Sequence, residues 1–271
     1  MSMNRPAAAA ALAAALCLLT AGCGSPSADK ATDTTASATG YPVTLDNCGV
    51  KETFAKAPSR VVVMNGASVA EVSTLLALGL GDRIVANEQG YGMSEVPGRA
   101  AAIKKLPTGG VKLNDAYDIP REAMLGLRPD LVLSTTSYGF DQKNGFATRG
   151  QLKDVGANTY VSPRGCHQDT SGMTIADSYR LLRDMGKVFG VSDRAEKLIA
   201  ASEKNIAAVT AKVKGEKKPK VMVLFSNMSM GGNDFSSVVA KGIYNDILAG
   251  AGGSNAFENA SRTSFADLSK E

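Results

Sequence analysis

The chain has 271 residues, a formal net charge of +4 and 44% hydrophobic residues, a length that allows one large domain or two lobes with buried cores. The charge is mild. Its one basic cluster, at 214–220, falls between a predicted helix and a predicted strand, which argues against a nucleic-acid surface. Zinc or manganese capture requires several histidines with carboxylates, and the only histidine is His167, so we expect no metal ligands.

The first 22 residues have the composition of an export signal. Arg5 precedes an uncharged, alanine-rich stretch that is too short for a membrane span. Residues 19–23, Leu-Thr-Ala-Gly-Cys, resemble the bacterial lipobox, in which the cysteine is acylated and the chain is cut before it. This predicts a signal peptide at 1–22 and a lipidated Cys23. The alternative is an ordinary secretory signal, and export follows on either interpretation.

Residues 23–41 are rich in Ser, Thr, Ala and Gly and show no periodicity, which predicts a flexible tether. Two cysteines remain beyond the tether, Cys48 and Cys166. An exported protein meets an oxidising compartment, so these cysteines either form a disulfide or remain two separate buried thiols.

From residue 60 onward, short apolar runs alternate with amphipathic stretches. Ser68 and Glu71 fit a helix capping box. The runs predict strands at 60–65, 83–87, 131–134, 158–161 and 220–225, and helices at 68–78, 118–127, 151–156, 173–189, 193–214 and 244–248. Alternation of this kind predicts an α/β fold with a mainly parallel sheet.

The long helical pattern at 173–189 separates two regions of α/β character. We therefore expect an N-terminal α/β lobe at 42–170, a connecting helix at 171–190 and a second α/β lobe at 191–271. The second region shows one clear strand, which makes a poor independent sheet. We expect this lobe to be incomplete at its C-terminus.

From about Asn47 to the last residue, the order of segments resembles the substrate-binding lipoproteins of ABC importers for ferric siderophores, cobalamin and haem. The stretches that carry the resemblance are 60–65 with Glu71, LGLGDRIVA at 78–86, EAMLGLRPDLVL at 122–133, LKDVG at 152–156, GGSNAF at 252–257 and LSKE at 268–271. The family implies two lobes joined by one long helix, each with a mainly parallel sheet flanked by helices. It also implies ligand in the cleft between the lobes.

The resemblance further implies particular residue roles. Asn47-Cys48-Gly49 and the stretch 162–166 look like an actinobacterial branch of the family, which implies a Cys48–Cys166 disulfide. In this family one glutamate on each lobe docks onto the permease, and the matching positions are Glu122 and Glu271. The alternative for Glu122 is an ordinary first-turn carboxylate facing a helix dipole.

Ligands of open α/β sheets bind where strands end and helices begin. Tyrosine and arginine at such positions suit an anionic, planar chelate through stacking and charge-assisted hydrogen bonds. For each candidate the alternative is an ordinary surface-loop residue. The rule selects as candidate ligand-binding residues Asn65, Ser68, Gln89, Tyr91, Thr108, Tyr138, Phe140, Arg164, Asn227 and Met230.

The sequence thus predicts a membrane-anchored, monomeric solute-binding protein that delivers a ferric-siderophore-like chelate to an ABC permease and ATPase complex. We expect no catalytic residue and no cofactor. Cobalamin, haem or another organic cofactor precursor is the alternative ligand. An exported hydrolase and a surface adhesin are distant alternatives. A hydrolase needs a nucleophile beside a base, and no Gly-x-Ser-x-Gly elbow is present. Cys166 and His167 could be imagined as such a pair, but they are adjacent in sequence, and adjacent side chains rarely point at each other.

Overall fold

The computed structural model describes residues 40–166, 172–225, 234–239, 242–261 and 263–269. The first six strands are β1 (Val43–Asn47), β2 (Val50–Phe54), β3 (Val61–Val63), β4 (Ile84–Asn87), β5 (Leu131–Ser134) and β6 (Asn158–Val161). Strands β1 and β2 form a hairpin, which precedes a parallel four-stranded sheet with the order β4-β3-β5-β6.

Helices cover both faces of the parallel sheet. The helices of the described residues are α1 (Val69–Ala77), α2 (Arg99–Lys104), α3 (Arg121–Gly126), α4 (Arg149–Asp154), α5 (Ile175–Val188), α6 (Ser192–Lys212) and α7 (Ile243–Gly250). One core cluster joins the sheet to α1 and α5, and a second joins its other face to α3 and α4. Every residue of β3 and β5 is buried, as expected for central strands covered on both sides. None of these helices is long and apolar enough to cross a membrane.

The described residues from 220 onward, here called the second part, form smaller sheets. Their strands are β7 (Lys220–Val221), β8 (Leu224–Phe225), β9 (Asp234–Val238), β10 (Ser254–Asn255) and β11 (Phe265–Ser269). Strands β7 and β10 pair in parallel, whereas β8, β9 and β11 form an antiparallel sheet with the order β11-β9-β8.

The α/β class and the parallel sheet flanked by helices are confirmed, but the second part departs from the expected mainly parallel sheet. A parallel connection needs a crossover of a dozen or more residues, and only residues 226–233 separate β8 from β9. The predicted strand at 220–225 is two short strands, because its halves pair with β10 and β9.

The predicted helix at 118–127 begins later, at Arg121. Pro120 caps it with an extended backbone conformation, and the residue before a proline is disfavoured in the helical region. The β1–β2 hairpin was not predicted. Its two-residue turn places Cys48 at φ 55° and Gly49 at φ 75°, the conformation of the tight hairpin turns that match strand twist.

The hairpin is attached to the edge of the sheet by a buried polar network. Asn47 donates from Nδ2 to Val161 O at 2.7 Å and accepts from Val161 N at 2.8 Å, so its amide continues the strand pairing. Arg149 donates to Asn47 O at 2.9 Å and to Glu52 Oε1 at 3.0 Å. Glu52 is 2% exposed, so the ion pair is shielded from water.

Candidate functional site

The loops that follow β3, β5 and β6 are joined through one buried carboxylate. Glu71, in the first turn of α1, is 1% exposed. Its Oε2 accepts from Ser68 N at 2.9 Å and from Ser68 Oγ at 2.7 Å, and its Oε1 accepts from Thr135 Oγ1 at 2.9 Å and from Ser162 Oγ. Hydrogen bonds to an ionised group are stronger than neutral ones, so this carboxylate fixes the three loops relative to one another.

A second buried carboxylate supports the loop after β3 from the other side. Asp118 accepts from Asn65 N at 3.0 Å, Gly66 N at 2.9 Å and Ile119 N at 2.8 Å. Burial raises the pKa of Asp118, although these three N–H groups act in the opposite direction. Burial also raises the pKa of Glu88, and the neighbouring charge of Asp118 adds to that effect.

The loop after β6 presents Arg164 on a short 3-10 turn, Pro163–Cys166. Gly165 lies directly against the loop after β5, because a Cβ at this position would overlap Thr135 O. A disulfide bond joins Cys166 Sγ to Cys48 Sγ and connects the same turn to the hairpin. Arg164 is therefore carried by a loop that is held on two sides.

Two neighbouring cavities meet at Arg164. The larger, of about 530 Å³, begins at the strand ends and extends between α1 and the α5–α6 pair. The smaller, of about 240 Å³, lies against the second part. Three residues line both cavities, namely Arg164, Met173 and Ile243.

The larger cavity has polar and apolar sides. Hydroxyls and the Glu71 carboxylate lie at the strand ends, leucines lie on α5 and α6, and Arg99 and Arg164 supply positive charge. An arrangement of this kind suits an organic ligand with an apolar body and a few polar groups. Within the described ranges, no three His, Cys, Asp or Glu side chains come close enough to hold a metal ion.

Aromatic side chains form one wall of the smaller cavity. The ring centroids of Phe225 and Phe265 are 5.1 Å apart, and Tyr244 lies 6.0 and 5.9 Å from them, with all three pairs edge-to-face. Tyr244 and Phe265 line the cavity that Arg164 also lines. An arginine beside aromatic rings offers both charge and flat apolar surface to a planar anion.

The structure brings two of the predicted ligand-binding residues, Ser68 and Arg164, to the larger cavity. Three others lie on the loops beside it. Tyr91 O accepts from Val69 N at 2.7 Å and from Gln89 Nε2 at 2.6 Å, and Tyr91 as a whole residue is 60% exposed. Asn65 donates from Nδ2 to Glu88 O at 3.0 Å, so its amide supports the loop after β4.

The remaining described candidates lie elsewhere. Thr108 is exposed in the segment beside β4, whose Asn87 N donates to Pro107 O at 2.8 Å. Tyr138 is half exposed and packs edge-on against Phe146 at 5.7 Å. The expectation that Phe140 faces a ligand is wrong, because this side chain is 7% exposed and belongs to the core formed with α3 and α4.

Four predicted residues lie outside the described residues: Cys23, Asn227, Met230 and Glu271. Glu122 is described, and its side chain projects from the first turn of α3 into solvent. Arg121 Nη2 donates to Glu122 Oε1 at 2.6 Å, and this hydrogen bond holds the pKa of the carboxyl below its usual value. Glu122 is thus an exposed, charged surface residue.

Sequence reasoning missed several residues of the site. Glu71 was predicted as a helix cap, but its bonds to Thr135 and Ser162 were not. A hydroxyl residue directly after each strand, Thr135 after β5 and Ser162 after β6, was the available signal. Tyr244 and Phe265 were also missed, because a helix start and a short strand do not identify a cavity wall in sequence.

A sequence profile of the family described as periplasmic binding protein matches residues 61–271. The chain belongs to the periplasmic binding protein family. This is a family of transport solute-binding proteins and not an enzyme family.

A curated relative is the uncharacterized ABC transporter substrate-binding lipoprotein YvrC of Bacillus subtilis (strain 168). It is 25% identical over 222 residues, which are 82% of this chain and 62% of the relative. The chain therefore spans less than two thirds of the length of the curated relative that it matches.

Two solved structures show the same fold. The ABC-type Fe3+-hydroxamate transport system from Saccharomonospora viridis DSM 43017 is 27% identical with a TM-score of 0.61, over 84% of this chain and 74% of that chain. A periplasmic binding protein from Veillonella parvula dsm 2008 is 21% identical with a TM-score of 0.65, over 84% of this chain and 71% of that chain. The second comparison bears on the fold alone.

Proposed function

We propose that the protein is an extracytoplasmic solute-binding lipoprotein that delivers a ferric-siderophore-like chelate to an ABC importer. The observation that carries the proposal is the pair of cavities meeting at Arg164, with hydroxyls on one side and aromatic rings on the other. A chelate that carries its own iron needs no metal ligands from the protein. The 27% identical relative described as an Fe3+-hydroxamate transport system supports a hydroxamate ligand.

The partners follow from the same proposal. An ABC permease and ATPase complex would receive the ligand, with Glu122 and Glu271 as one docking charge each. Charges at separated surface positions steer a charged partner and define its orientation.

Cys23 would carry the lipid anchor, so a Cys23→Ala variant should appear in the soluble fraction of cells instead of the membrane fraction. The protein itself would use no cofactor.

The test is a titration of the purified full chain with ferrioxamine B (a ferric trihydroxamate), a ferric tricatecholate, cobalamin and haem. The chain has seven tyrosines and no tryptophan, so its intrinsic fluorescence reports tyrosine quenching. We expect quenching at micromolar or lower concentration by one iron chelate and none by its iron-free form. Calorimetry of the same mixtures checks for inner-filter artefacts.

Arg164→Gln should weaken binding of that chelate about tenfold or more, because a charge-assisted contact is lost. Arg83→Gln is the matched control, since Arg83 lies at the opposite, amino end of β4. Binding of cobalamin or haem alone would favour the alternative ligand. Absence of binding to all four would refute the proposed ligand class.

A further inference from the structure

Glu71 makes more contacts than helix capping requires. Among the helices of the described residues, three carry a capping box: α1, α4 and α5. In α4, Gln151 Oε1 accepts only from Thr148 N, the N-cap residue of its own helix, among the hydrogen bonds of the described residues. Glu71 bonds its own N-cap Ser68 and also Thr135 and Ser162, which are 64 and 91 positions away in sequence.

The two distant bonds reach loops whose residues line the larger cavity. Ser162 is two residues before Arg164, and the backbone of Thr135 lies directly against Gly165. Thr135 Oγ1 also accepts from Ser68 N at 2.7 Å, so the loops after β3 and β5 contact each other directly as well. Any displacement of Glu71 would therefore move three loops together.

We propose that Glu71 is a positioning residue that holds the loops after β3, β5 and β6 in the arrangement required for ligand binding. The ligand-binding part of this inference rests on the proposed function. The loop-holding part does not, because it concerns only the contacts of Glu71 within the protein.

The same bonds set the polarity of this side of the cavity. Ser68, Thr135 and Ser162 each direct a hydroxyl hydrogen to the Glu71 carboxylate. A hydroxyl has one hydrogen to donate, so toward the cavity these oxygens can only accept. A ligand should place hydroxyl or N–H donors here and direct its negative charge toward Arg164.

The test compares four variants of the full chain. Glu71→Ala removes the carboxylate, and Glu71→Gln keeps its shape but turns one acceptor into a donor. The double variant Thr135→Val/Ser162→Ala removes the two distant bonds of Glu71 together with the bond from Ser68 N to Thr135 Oγ1, and it leaves the capping box of α1 intact. Gln151→Ala is the matched control, because it removes a capping-box residue that makes no such distant bonds within the described part of the chain.

Hydrogen exchange provides a readout that needs no ligand. We expect the amides of residues 134–138 and 162–166 to exchange about tenfold faster in Glu71→Ala and in the double variant, because local opening becomes easier. Gln151→Ala should leave both loops unchanged. Unchanged exchange at these loops in Glu71→Ala and the double variant would overturn the proposal.

The second readout is the Kd for ferrioxamine B. We expect a loss of about tenfold in Glu71→Ala and the double variant, a smaller loss in Glu71→Gln, and less than a twofold change in Gln151→Ala. Wild-type affinity in the double variant would overturn the ligand-positioning role. If the wild-type protein binds no chelate, the proposed function fails, and the exchange experiment alone decides whether Glu71 holds the loops.

Discussion

The two sides of the candidate site are stabilised by different interactions. On the sheet side, Glu71 and Asp118 fix the strand-end loops through hydrogen bonds to buried carboxylates. In the second part, the aromatic wall consists of the half-buried rings of Tyr244 and Phe265, which are in edge-to-face contact with each other and with Phe225 behind them. Buried hydrogen bonds to charged groups specify one geometry, whereas ring contacts tolerate several.

The distribution of the core follows the same division. Among the described residues, the buried apolar side chains lie between Phe54 and Ile199, apart from Val238 and Val239. The sheet side is thus supported by a core, and the second part contributes little to it. We infer that a ligand meets a preformed polar side and an adaptable aromatic side, and the predictions below test this difference.

The largest effect is expected for Arg149→Met, which removes the partner of the buried Glu52. An unpaired buried carboxylate should lower the free energy of unfolding by about 3–5 kcal/mol. Urea unfolding would measure this loss. Arg183→Met is the control, since the Arg183–Glu196 ion pair is largely exposed and should change stability by no more than about 1 kcal/mol.

A further variant of the same network distinguishes the loss of the Arg149–Glu52 ion pair from the loss of side-chain packing. Arg149→Met/Glu52→Leu replaces both charges by apolar groups and should recover part of the stability lost in the single variant. A double variant less stable than Arg149→Met would contradict the attribution to an uncompensated charge.

The second prediction concerns the contact between the loops after β5 and β6. In Gly165→Ala the new Cβ would overlap Thr135 O, so the backbone must move. We expect a stability loss of about 1–3 kcal/mol and weaker chelate binding, because Arg164 is the neighbouring residue.

Gly126→Ala is the matched control for this change. Gly126 lies in α3, and a Cβ there would meet nothing within 4 Å. Alanine is a better helix former than glycine, so stability should rise by about 0.5–1 kcal/mol. Equal effects of the two substitutions in thermal unfolding would show that the loop contact is not tight.

The third prediction addresses the aromatic wall. Phe265→Leu should lower stability by only about 1 kcal/mol, since it removes edge-to-face contacts of half-buried rings. Phe257→Leu is its control, because Phe257 contacts Phe235 at 6.2 Å but does not line the cavity. Both variants should lose similar stability, and only Phe265→Leu should change the relative affinities for different chelates.

The sequence was informative where a structural signal is local. The strands β5 and β6 and the capping box of Ser68 and Glu71 follow from short patterns of residue type. Arg164 was selected because ligand sites of parallel sheets lie at strand ends, a rule that depends on topology and not on distant contacts, and the structure places it at both cavities.

Contacts between distant segments could not be predicted in this way. The bonds of Glu71 to Thr135 and Ser162 depend on how three loops converge, and no single stretch encodes them. Phe140 also follows a strand end, but a short 3-10 helix turns its side chain into the core, while Gly139 lies against Met64. An apolar loop residue can face either the core or a cavity, and only the packing of the surrounding residues decides which of the two it faces.

The smallest effect on the free energy of unfolding is expected from a change of pH. Burial raises the pKa of Asp118 in the folded protein above its unfolded value, so the native state binds this proton more tightly than the unfolded chain does. Asp118 therefore contributes stability below the ordinary carboxyl pKa of about 4, and this contribution is lost as pH rises through the higher folded value.

Asp118→Asn removes this titration and adds a penalty that does not depend on pH, because one acceptor for a backbone N–H becomes a donor. The stability of the wild type relative to the variant should fall as pH rises from about 4 and then become constant. Urea unfolding of both proteins from about pH 4 to 7 measures the difference, in which the other titrating groups cancel. A difference that grows with pH would mean that the three backbone N–H groups outweigh burial, and that the loop after β3 is held by a carboxylate that prefers to be ionised.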